Sequence, residues 1–135
     1  MSTAEFLDQF REFLGRNGYP PSDSPWTLVE EWESLIDDVE EGYELDIYEF
    51  RNDLSVRDLL EKVFTDPQFA GLAPVAHMRA RVAAADTRLR AAFVPEVVVG
   101  PSAWPWWRRG VLARAARHYA EDAMRHYNVK VDSPA

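Results

Sequence analysis

The chain has 135 residues, of which 47% are apolar and 13% aromatic, and its formal net charge is −8. This composition is typical of one globular domain with a core large enough to fold unaided, and it argues against disorder. Without cysteine, the chain lacks disulfides, thiolate zinc sites and cysteine nucleophiles, which fits a reducing compartment. The N-terminus has no basic stretch leading into an apolar run, and no apolar run is long enough to span a membrane, so we expect a cytoplasmic protein.

Charge divides the chain into two unequal parts. Residues 1–66 carry 18 acidic and 5 basic side chains, whereas residues 67–135 carry 5 acidic and 10 basic ones. Like charges at helical spacing repel each other, so a dense acidic block must face water or a positively charged partner. Residues 30–49 form such a block, with ten carboxylates and no Lys or Arg, namely Glu30, Glu31, Glu33, Asp37, Asp38, Glu40, Glu41, Glu44, Asp46 and Glu49.

The first predicted helix runs from about Thr3 to Arg16, because apolar residues recur there at spacings of one, three and four. The dipeptide Asn17-Gly18 ends this helix, and the Pro-rich segment at residues 19–25 is predicted to be a linker. We therefore expect residues 1–18 to form a mobile N-terminal helix.

The second predicted helix separates apolar from acidic residues completely. Thr27 and Glu30 form a capping-box pair at its start, and Gly42 is placed to end it. One side is apolar and consists of Leu28, Val29, Trp32, Leu35, Ile36 and Val39. Burying each of these contributes roughly 1.5–3 kcal/mol, while an exposed pair of like charges costs only a few tenths. We expect the helix to fold with its acidic side exposed.

Two short segments and a long helix are predicted next. Asp46 is expected to cap a short turn, and Ser55 with Asp58 to form a second capping box in front of a helix. Apolar spacing from Val75 to Phe93 predicts the long helix.

The remainder of the chain holds an irregular Pro/Trp-rich loop at residues 96–106 and a last helix from about Trp106 to Tyr127. Residues 128–135 are expected to form a flexible tail, and the three valines at 97–99 are too few to make a sheet. The predicted fold is a mostly α single-domain bundle of five to six helices covering residues 1–135.

The acidic segment has three interpretations. It is a solvated face that keeps the protein soluble, a surface for a basic partner, or a Mg²⁺ or Ca²⁺ site, although EF-hand spacing is absent. The residues that we expect to bind a partner are Glu31, Glu33, Asp37, Asp38, Glu40, Glu41 and Glu44, with Trp104 and Trp107.

His118, Asp122 and His126 lie four residues apart on the last predicted helix. Such ligands can bind zinc in pairs, and a carboxylate beside a histidine can orient a general base. A straight helix separates the outer two by about 12 Å, too far for one ion to use all three. We expect a structural polar cluster in which Asp122 pairs with an imidazole, with a metal or catalytic site and a partner interface as alternatives. No metal and no cofactor are expected.

Asp86 falls on the apolar side of the long helix, where an ion pair with Arg90 or Arg79 is the simplest account. The residue would then be structural, with a functional role as the alternative.

The tryptophans at 104, 106 and 107 precede Arg108 and Arg109. Rings beside arginines can stack single-stranded nucleic acid, but the net charge of −8 would repel a phosphate backbone. The cluster is therefore expected to belong to the core or a hinge, or to a protein interface, where Trp and Arg are frequent anchors.

Catalytic signatures are missing from the sequence, including the P-loop, the Gly-rich dinucleotide turn, the Gly-x-Ser-x-Gly elbow, His-Glu-x-x-His and the Glu-x-x-His of di-iron bundles. The run Glu40-Glu41-Gly42-Tyr43, with Tyr48-Glu49-Phe50, Asn52-Asp53-Leu54 and Arg57-Asp58-Leu59-Leu60, resembles a stretch of small actinobacterial proteins. In size, acidity and lack of a catalytic signature, the chain is similar to cytoplasmic immunity proteins of bacterial toxin systems. This resemblance implies a protein that binds a toxin domain and blocks its active site, and it carries over no individual site residue.

The expected function is non-enzymatic neutralisation of a basic protein partner, most simply a toxin domain, through the acidic helical face. A variant is a mimic of nucleic acid, and the alternative is a small helical enzyme or metal-binding protein that uses the His118, Asp122 and His126 cluster. Direct contact with nucleic acid or a membrane is not expected, and the oligomeric state stays open.

Overall fold

The computed structural model describes residues 1–21 and 23–134, which form a single all-α domain. The predicted fold class is confirmed. Within these residues, backbone pairing between extended segments is limited to isolated bridges, and no helix is long and apolar enough to cross a lipid bilayer. The elements are α1 (Thr3–Arg16), α2 (Pro25–Gly42), α3 (Ile47–Asp53), α4 (Ser55–Thr65), α5 (Ala73–Ala92), a 3-10 turn (Trp106–Arg108) and α6 (Arg117–Tyr127).

Helix α1 has the predicted bounds and packs on the core. Its N-cap is Ser2, whose side chain accepts a hydrogen bond from the backbone N–H of Glu5. The buried side chains of α1 are Phe6, Phe10, Phe13 and Leu14. Three of these rings lie within 5.6–6.1 Å of the Phe69 ring, measured between centroids. The mobility expected for residues 1–18 stays a prediction, and the burial of these rings opposes it.

Helix α2 begins two residues before the predicted capping box. Ser24 is the N-cap, and its hydroxyl oxygen accepts from the backbone N–H of Thr27 at 3.1 Å. Pro25 occupies the first turn, where its missing N–H costs nothing. The prediction that Thr27 caps the helix is therefore wrong. The prediction for Gly42 is confirmed, because it is the last helical residue and has φ of +105°, a value that suits glycine.

The centre of the fold is the pair of long helices α2 and α5, with α4 against both. All six predicted apolar residues of α2 are buried, and so are five along α5, namely Val75, Met78, Val82, Ala85 and Leu89. These periodic positions therefore formed the core stripe that the sequence predicted.

Of the two predicted caps after residue 45, one is confirmed and one is wrong. Asp46 caps α3 by accepting from the backbone N–H of Glu49 at 2.9 Å. Ser55, however, is the first residue of α4 rather than its cap, and no side chain caps this helix. Asp58 accepts from Trp107 and Arg108 instead, so a distant part of the chain uses the carboxylate that the capping box required.

The last helix is about half as long as predicted, because α6 begins only at Arg117. The segment at residues 109–116 is extended and exchanges backbone hydrogen bonds with three other segments. Val94 donates to Val111, Ala116 donates to Tyr43, and Ala115 donates to the carbonyl of Asp132. The last of these bonds ties part of the predicted tail to the domain, and Val131 beside it is buried. Flexibility of residues 128–134 stays a prediction, and Ala135 lies outside the described residues.

Candidate functional site

Helix α2 presents its carboxylates on two sides, and one side is neutralised by α5. Arg81 donates to the Glu33 carboxylate from two nitrogens, Nε and Nη2, and the Nε lies 3.1 Å from Glu33 Oε2. Arg88 binds Asp37 at 2.6 Å and also forms a two-point contact with Glu40. The hydrogen bonds from Arg88 lower the pKa of the Glu40 carboxyl, and those to Glu33 raise the pKa of Arg81. These three acids of the predicted partner surface are thus occupied within the chain.

The other side of α2 borders two adjoining cavities, which we call the acidic groove. One cavity of about 600 Å³ lies between α2 and the α3–α4 corner. The next, of about 430 Å³, continues past the end of α2, and both are lined by Asp38 and Asp53. The acidic lining of the groove consists of Glu30, Glu31, Asp38, Glu41, Glu44 and Asp53.

Five of the groove carboxylates have neither an ion pair nor a side-chain hydrogen bond within residues 1–21 and 23–134, namely Glu30, Glu31, Asp38, Glu41 and Glu44. The last four of these belong to the predicted partner surface. Burial, followed by the nearby charge of Asp23, raises the pKa of the Glu31 carboxyl. The part of this shift that comes from the Asp23 charge is repulsion, which an added cation would relieve.

A tyrosine fixes the floor of the groove. The Tyr43 hydroxyl donates a 2.6 Å hydrogen bond to Asp53 Oδ2, and Tyr43 itself is buried. Burial first, and then the hydrogen bond to Asp53, raise the pKa of Tyr43 well above its ordinary value. The Tyr43 phenol therefore stays neutral and holds the Asp53 carboxylate in place. Because it stays protonated, the phenol cannot act as a general base in neutral solution.

One exposed apolar side chain, Leu45, borders the groove just before α3, and a second, Tyr48, lies on the first turn of α3 outside the groove lining. Leu45 is 52% exposed and lines the second cavity beside Glu44. Tyr48, also 52% exposed, lies one turn further along α3, and its hydroxyl is 2.8 Å from His126 Nε2. Large apolar groups at an acidic rim are typical anchors of a protein interface. The sequence analysis missed both residues, although their position inside the acidic block was a usable signal.

The two tryptophans of the predicted partner surface have different environments. Trp107 is only 5% exposed, and its indole N–H donates to Asp58 Oδ1 at 2.8 Å, so its ring cannot meet a partner in this structure. Trp104 is 39% exposed and lies over Gly100, where a Cβ atom would stand 2.6 Å from the indole ring. The interpretation of the cluster as core therefore applies to Trp107, and Trp104 stays available for contact.

The expected polar cluster of α6 does not form. Asp122 is buried and accepts from the backbone N–H of Ile47 at 3.3 Å and from Arg125 at 3.0 Å. His118 is exposed, and His126 contacts Tyr48 rather than the carboxylate. The pairing of Asp122 with an imidazole is therefore wrong, because the backbone N–H of Ile47 and the guanidinium of Arg125 occupy the carboxylate instead. Within the described part of the chain, no group of three or more His, Asp or Glu side chains could hold a metal ion.

Asp86 makes a structural ion pair, but with a residue other than the two expected. Its carboxylate accepts two 3.0 Å hydrogen bonds from Arg57 of α4 and one of 3.1 Å from the Trp32 indole. Arg90 instead lies over the Trp106 ring, and Arg79 donates to the carbonyl of Phe64. Asp86 therefore pairs with Arg57 on another helix, and not with Arg90 or Arg79 on its own helix.

No protein-family model matches the chain, and neither a curated protein nor a solved structure is similar to it. The geometry of the acidic groove is thus the principal guide to function.

Proposed function

We propose that this chain is a non-enzymatic binding protein that neutralises a basic protein partner, a toxin domain in the simplest case, through the acidic groove. One observation supports the proposal most strongly. Glu31, Asp38, Glu41 and Glu44 line one groove without an ion pair to any cation of the described residues, while Glu33, Asp37 and Glu40 on the opposite side of α2 are matched by arginines.

The contrast within one helix argues against solvation as the whole explanation. Arg81 and Arg88 of α5 neutralise one side of α2, whereas on the groove side Arg114 donates to the backbone carbonyl of Glu40 and forms no ion pair within the described residues. Unpaired like charges at helical spacing destabilise a helix by a few tenths of a kcal/mol per pair. A basic partner removes that cost and gains charge-assisted hydrogen bonds.

The proposed mechanism has two steps. The negative field of the groove first steers a basic surface into contact, which raises the association rate at low ionic strength. Leu45 at the rim and Tyr48 on the first turn of α3 then lose their exposed surface to the partner, and apolar burial slows dissociation. Neutralisation follows from occlusion of the partner's basic site, without chemistry by this chain.

The partner to test first is the product of the gene directly upstream of the one that encodes this chain. Expression of that product alone should arrest growth of a bacterial host, and co-expression of this chain should restore growth. The triple variant Asp38→Lys, Glu41→Lys, Glu44→Lys should fold and fail to restore growth. Its association rate, measured by stopped-flow fluorescence, should fall most at low salt. Near physiological ionic strength the Debye length is only about 8 Å, so the charges of the groove are largely screened.

A matched control changes the net charge by the same amount elsewhere on the surface. Glu5→Lys, Glu12→Lys and Glu121→Lys alter exposed acids outside the groove. This variant should restore growth and associate at a rate close to that of the parent protein. If both triple variants lose growth rescue and association rate equally, the groove acts only through net charge. If this chain does not neutralise the product of the upstream gene, the toxin-immunity assignment is contradicted.

A further inference from the structure

We infer a second binding site, at the C-terminal end of α5, for a small apolar molecule that bears one negative charge. It is a cavity of about 530 Å³, distinct from the acidic groove, and we call it the α5-end cavity. Its volume lies in the range of cavities that hold small organic ligands. The site goes beyond the proposed function, since it shares no lining residue with the groove.

The walls of the α5-end cavity are mainly apolar. They include the rings of Phe93 and Trp106 and the side chains of Val94, Pro95, Val97 and Val98. Val98 is 63% exposed, so its side chain offers apolar surface at the cavity. An apolar ligand in the cavity would remove this surface from water, which is favourable in proportion to the area buried.

Backbone hydrogen bonds hold the cavity open. Val94 donates to the carbonyl of Val111 at 2.8 Å, and Val99 donates to that of Arg109 at 2.9 Å, so the two sides of the loop are tied together. Gly110 allows the close approach of Phe93, since a Cβ atom at this glycine would stand 2.2 Å from the Phe93 ring. The cavity is therefore formed before a ligand arrives, which reduces the entropic cost of binding.

Two arginines give the cavity its preference for an anion. The guanidinium carbon of Arg90 lies 3.8 Å from the centre of the Trp106 ring, and Arg109 donates its Nε–H to the carbonyl of Val99. Neither arginine belongs to an ion pair within residues 1–21 and 23–134, although most acidic side chains of the chain lie in its first half. Guanidinium groups held in place, with free N–H donors, are the usual ligands of carboxylate and sulfonate-like groups.

The opposing charges at this site are weaker than the two arginines. Glu96 also borders the cavity; like Arg90 it is exposed, and its backbone has φ of +65°, a left-handed conformation. Two of the last carbonyls of α5 are already satisfied, because those of Arg90 and Ala92 accept from the backbone N–H groups of Phe93 and Ala113. One carboxylate against two guanidinium groups leaves a net positive site.

The test uses two dyes that differ in charge and share their rings. The anionic probe is 8-anilinonaphthalene-1-sulfonate, and its neutral match is N-phenyl-1-naphthylamine. Each is titrated into the full-length protein and followed by dye fluorescence and by energy transfer from tryptophan. We expect one anionic dye per chain, and the neutral dye should bind about tenfold or more weakly, since it lacks the charge-assisted hydrogen bonds.

Three variants separate the site from general dye binding. Arg90→Gln with Arg109→Gln should weaken the anionic dye about tenfold and leave the neutral dye within about twofold. Ala91→Trp fills the mouth of the cavity from an exposed position and should abolish binding of both dyes. The matched controls are Arg16→Gln and Ala84→Trp, two exposed positions outside the cavity, and neither should change binding.

Near-ultraviolet circular dichroism of each variant confirms that the tertiary packing is intact before its titration is interpreted. The inference is overturned if the parent protein binds no anionic dye at one-to-one stoichiometry, or if both dyes bind equally well. It is also overturned if the control variants lose as much affinity as the cavity variants.

Discussion

The guanidinium carbon of Arg57 lies 4.2 Å from the centre of the Trp107 ring, while the same guanidinium makes two hydrogen bonds to Asp86. This arrangement joins α4 to α5 and to the 3-10 turn. The Trp32 indole extends it to α2, because its N–H also donates to Asp86. Four elements therefore meet at one buried ion pair, and the arginine is only 5% exposed.

Removal of the carboxylate from this pair should destabilise the protein strongly. Asp86→Asn leaves the buried Arg57 charge without its counter-ion, and we expect a loss of about 3–5 kcal/mol in the free energy of unfolding. Urea titration followed by circular dichroism measures it. Glu61→Gln is the control, since Glu61 is 39% exposed and lies 3.7 Å from the same arginine, and its loss should stay below about 1 kcal/mol. Similar losses in both variants would show that the Asp86 pair is no more important than a surface contact.

The second prediction concerns whether α1 is part of the folding unit. Phe10 is completely buried and its ring lies 6.1 Å from that of Phe69. Phe10→Ala should therefore lower the free energy of unfolding by about 3–5 kcal/mol, as for other buried rings. Arg11→Ala, at an exposed neighbouring position, should change it by less than about 0.5 kcal/mol. If residues 1–18 form a detached arm in solution, Phe10→Ala will leave the denaturation midpoint where it was.

Local sequence signals predicted α1, α2 and α5 well because each helix carries its own evidence. The apolar stripe of α2 and the glycine at its end are contained within the helix itself. The sequence also predicted the acidic side of α2, but it did not predict which carboxylates are paired and which are not. That division depends on Arg81 and Arg88, which are 48 residues away from their partners Glu33 and Glu40.

Most wrong expectations involved a contact that is distant in the chain; the mistaken Thr27 cap was local, because Ser24, three residues earlier, accepts from the Thr27 N–H. Asp58 had the right spacing from Ser55 for a cap, but Trp107 and Arg108, about 50 residues away, use its carboxylate. The start of α6 was placed too early because residues 109–116 contain helix formers, whereas long-range backbone hydrogen bonds hold them extended. Propensity is a weak guide where tertiary contacts compete for the same groups.

The third prediction uses the buried phenol of Tyr119. Burial raises its pKa from 10.0 to about 12, although the N–H of Leu112, which donates to the phenol oxygen, lowers it somewhat. The native state favours the neutral phenol, so this contribution to stability is complete below pH 10.0 and is lost as the pH rises through about 12. Two pH units correspond to about 3 kcal/mol.

Tyr119→Phe tests this linkage. The variant should lose about 1–3 kcal/mol in neutral solution, because the buried Leu112 N–H loses its acceptor. Between pH 10 and 12, however, its stability should fall less steeply than that of the parent protein. The measurement is a series of urea titrations across that pH range, and parallel pH profiles for the two proteins would contradict the prediction. Tyr127→Phe is a control at a less buried position.

The last prediction separates the two sides of α2 by their effect on stability alone. Neutralising the groove acids with Asp38→Asn, Glu41→Gln and Glu44→Gln removes repulsion and breaks no ion pair, so the free energy of unfolding should stay constant or rise by a few tenths of a kcal/mol. Neutralising the opposite side with Glu33→Gln, Asp37→Asn and Glu40→Gln removes the contacts of Arg81 and Arg88, so stability should fall. Both differences should shrink toward 1 M salt, where charges are screened beyond about 3 Å. Carboxylates that do not stabilise the fold but line a groove are best explained by binding to a partner. Equal losses of stability in the two triple variants would remove this argument for the groove.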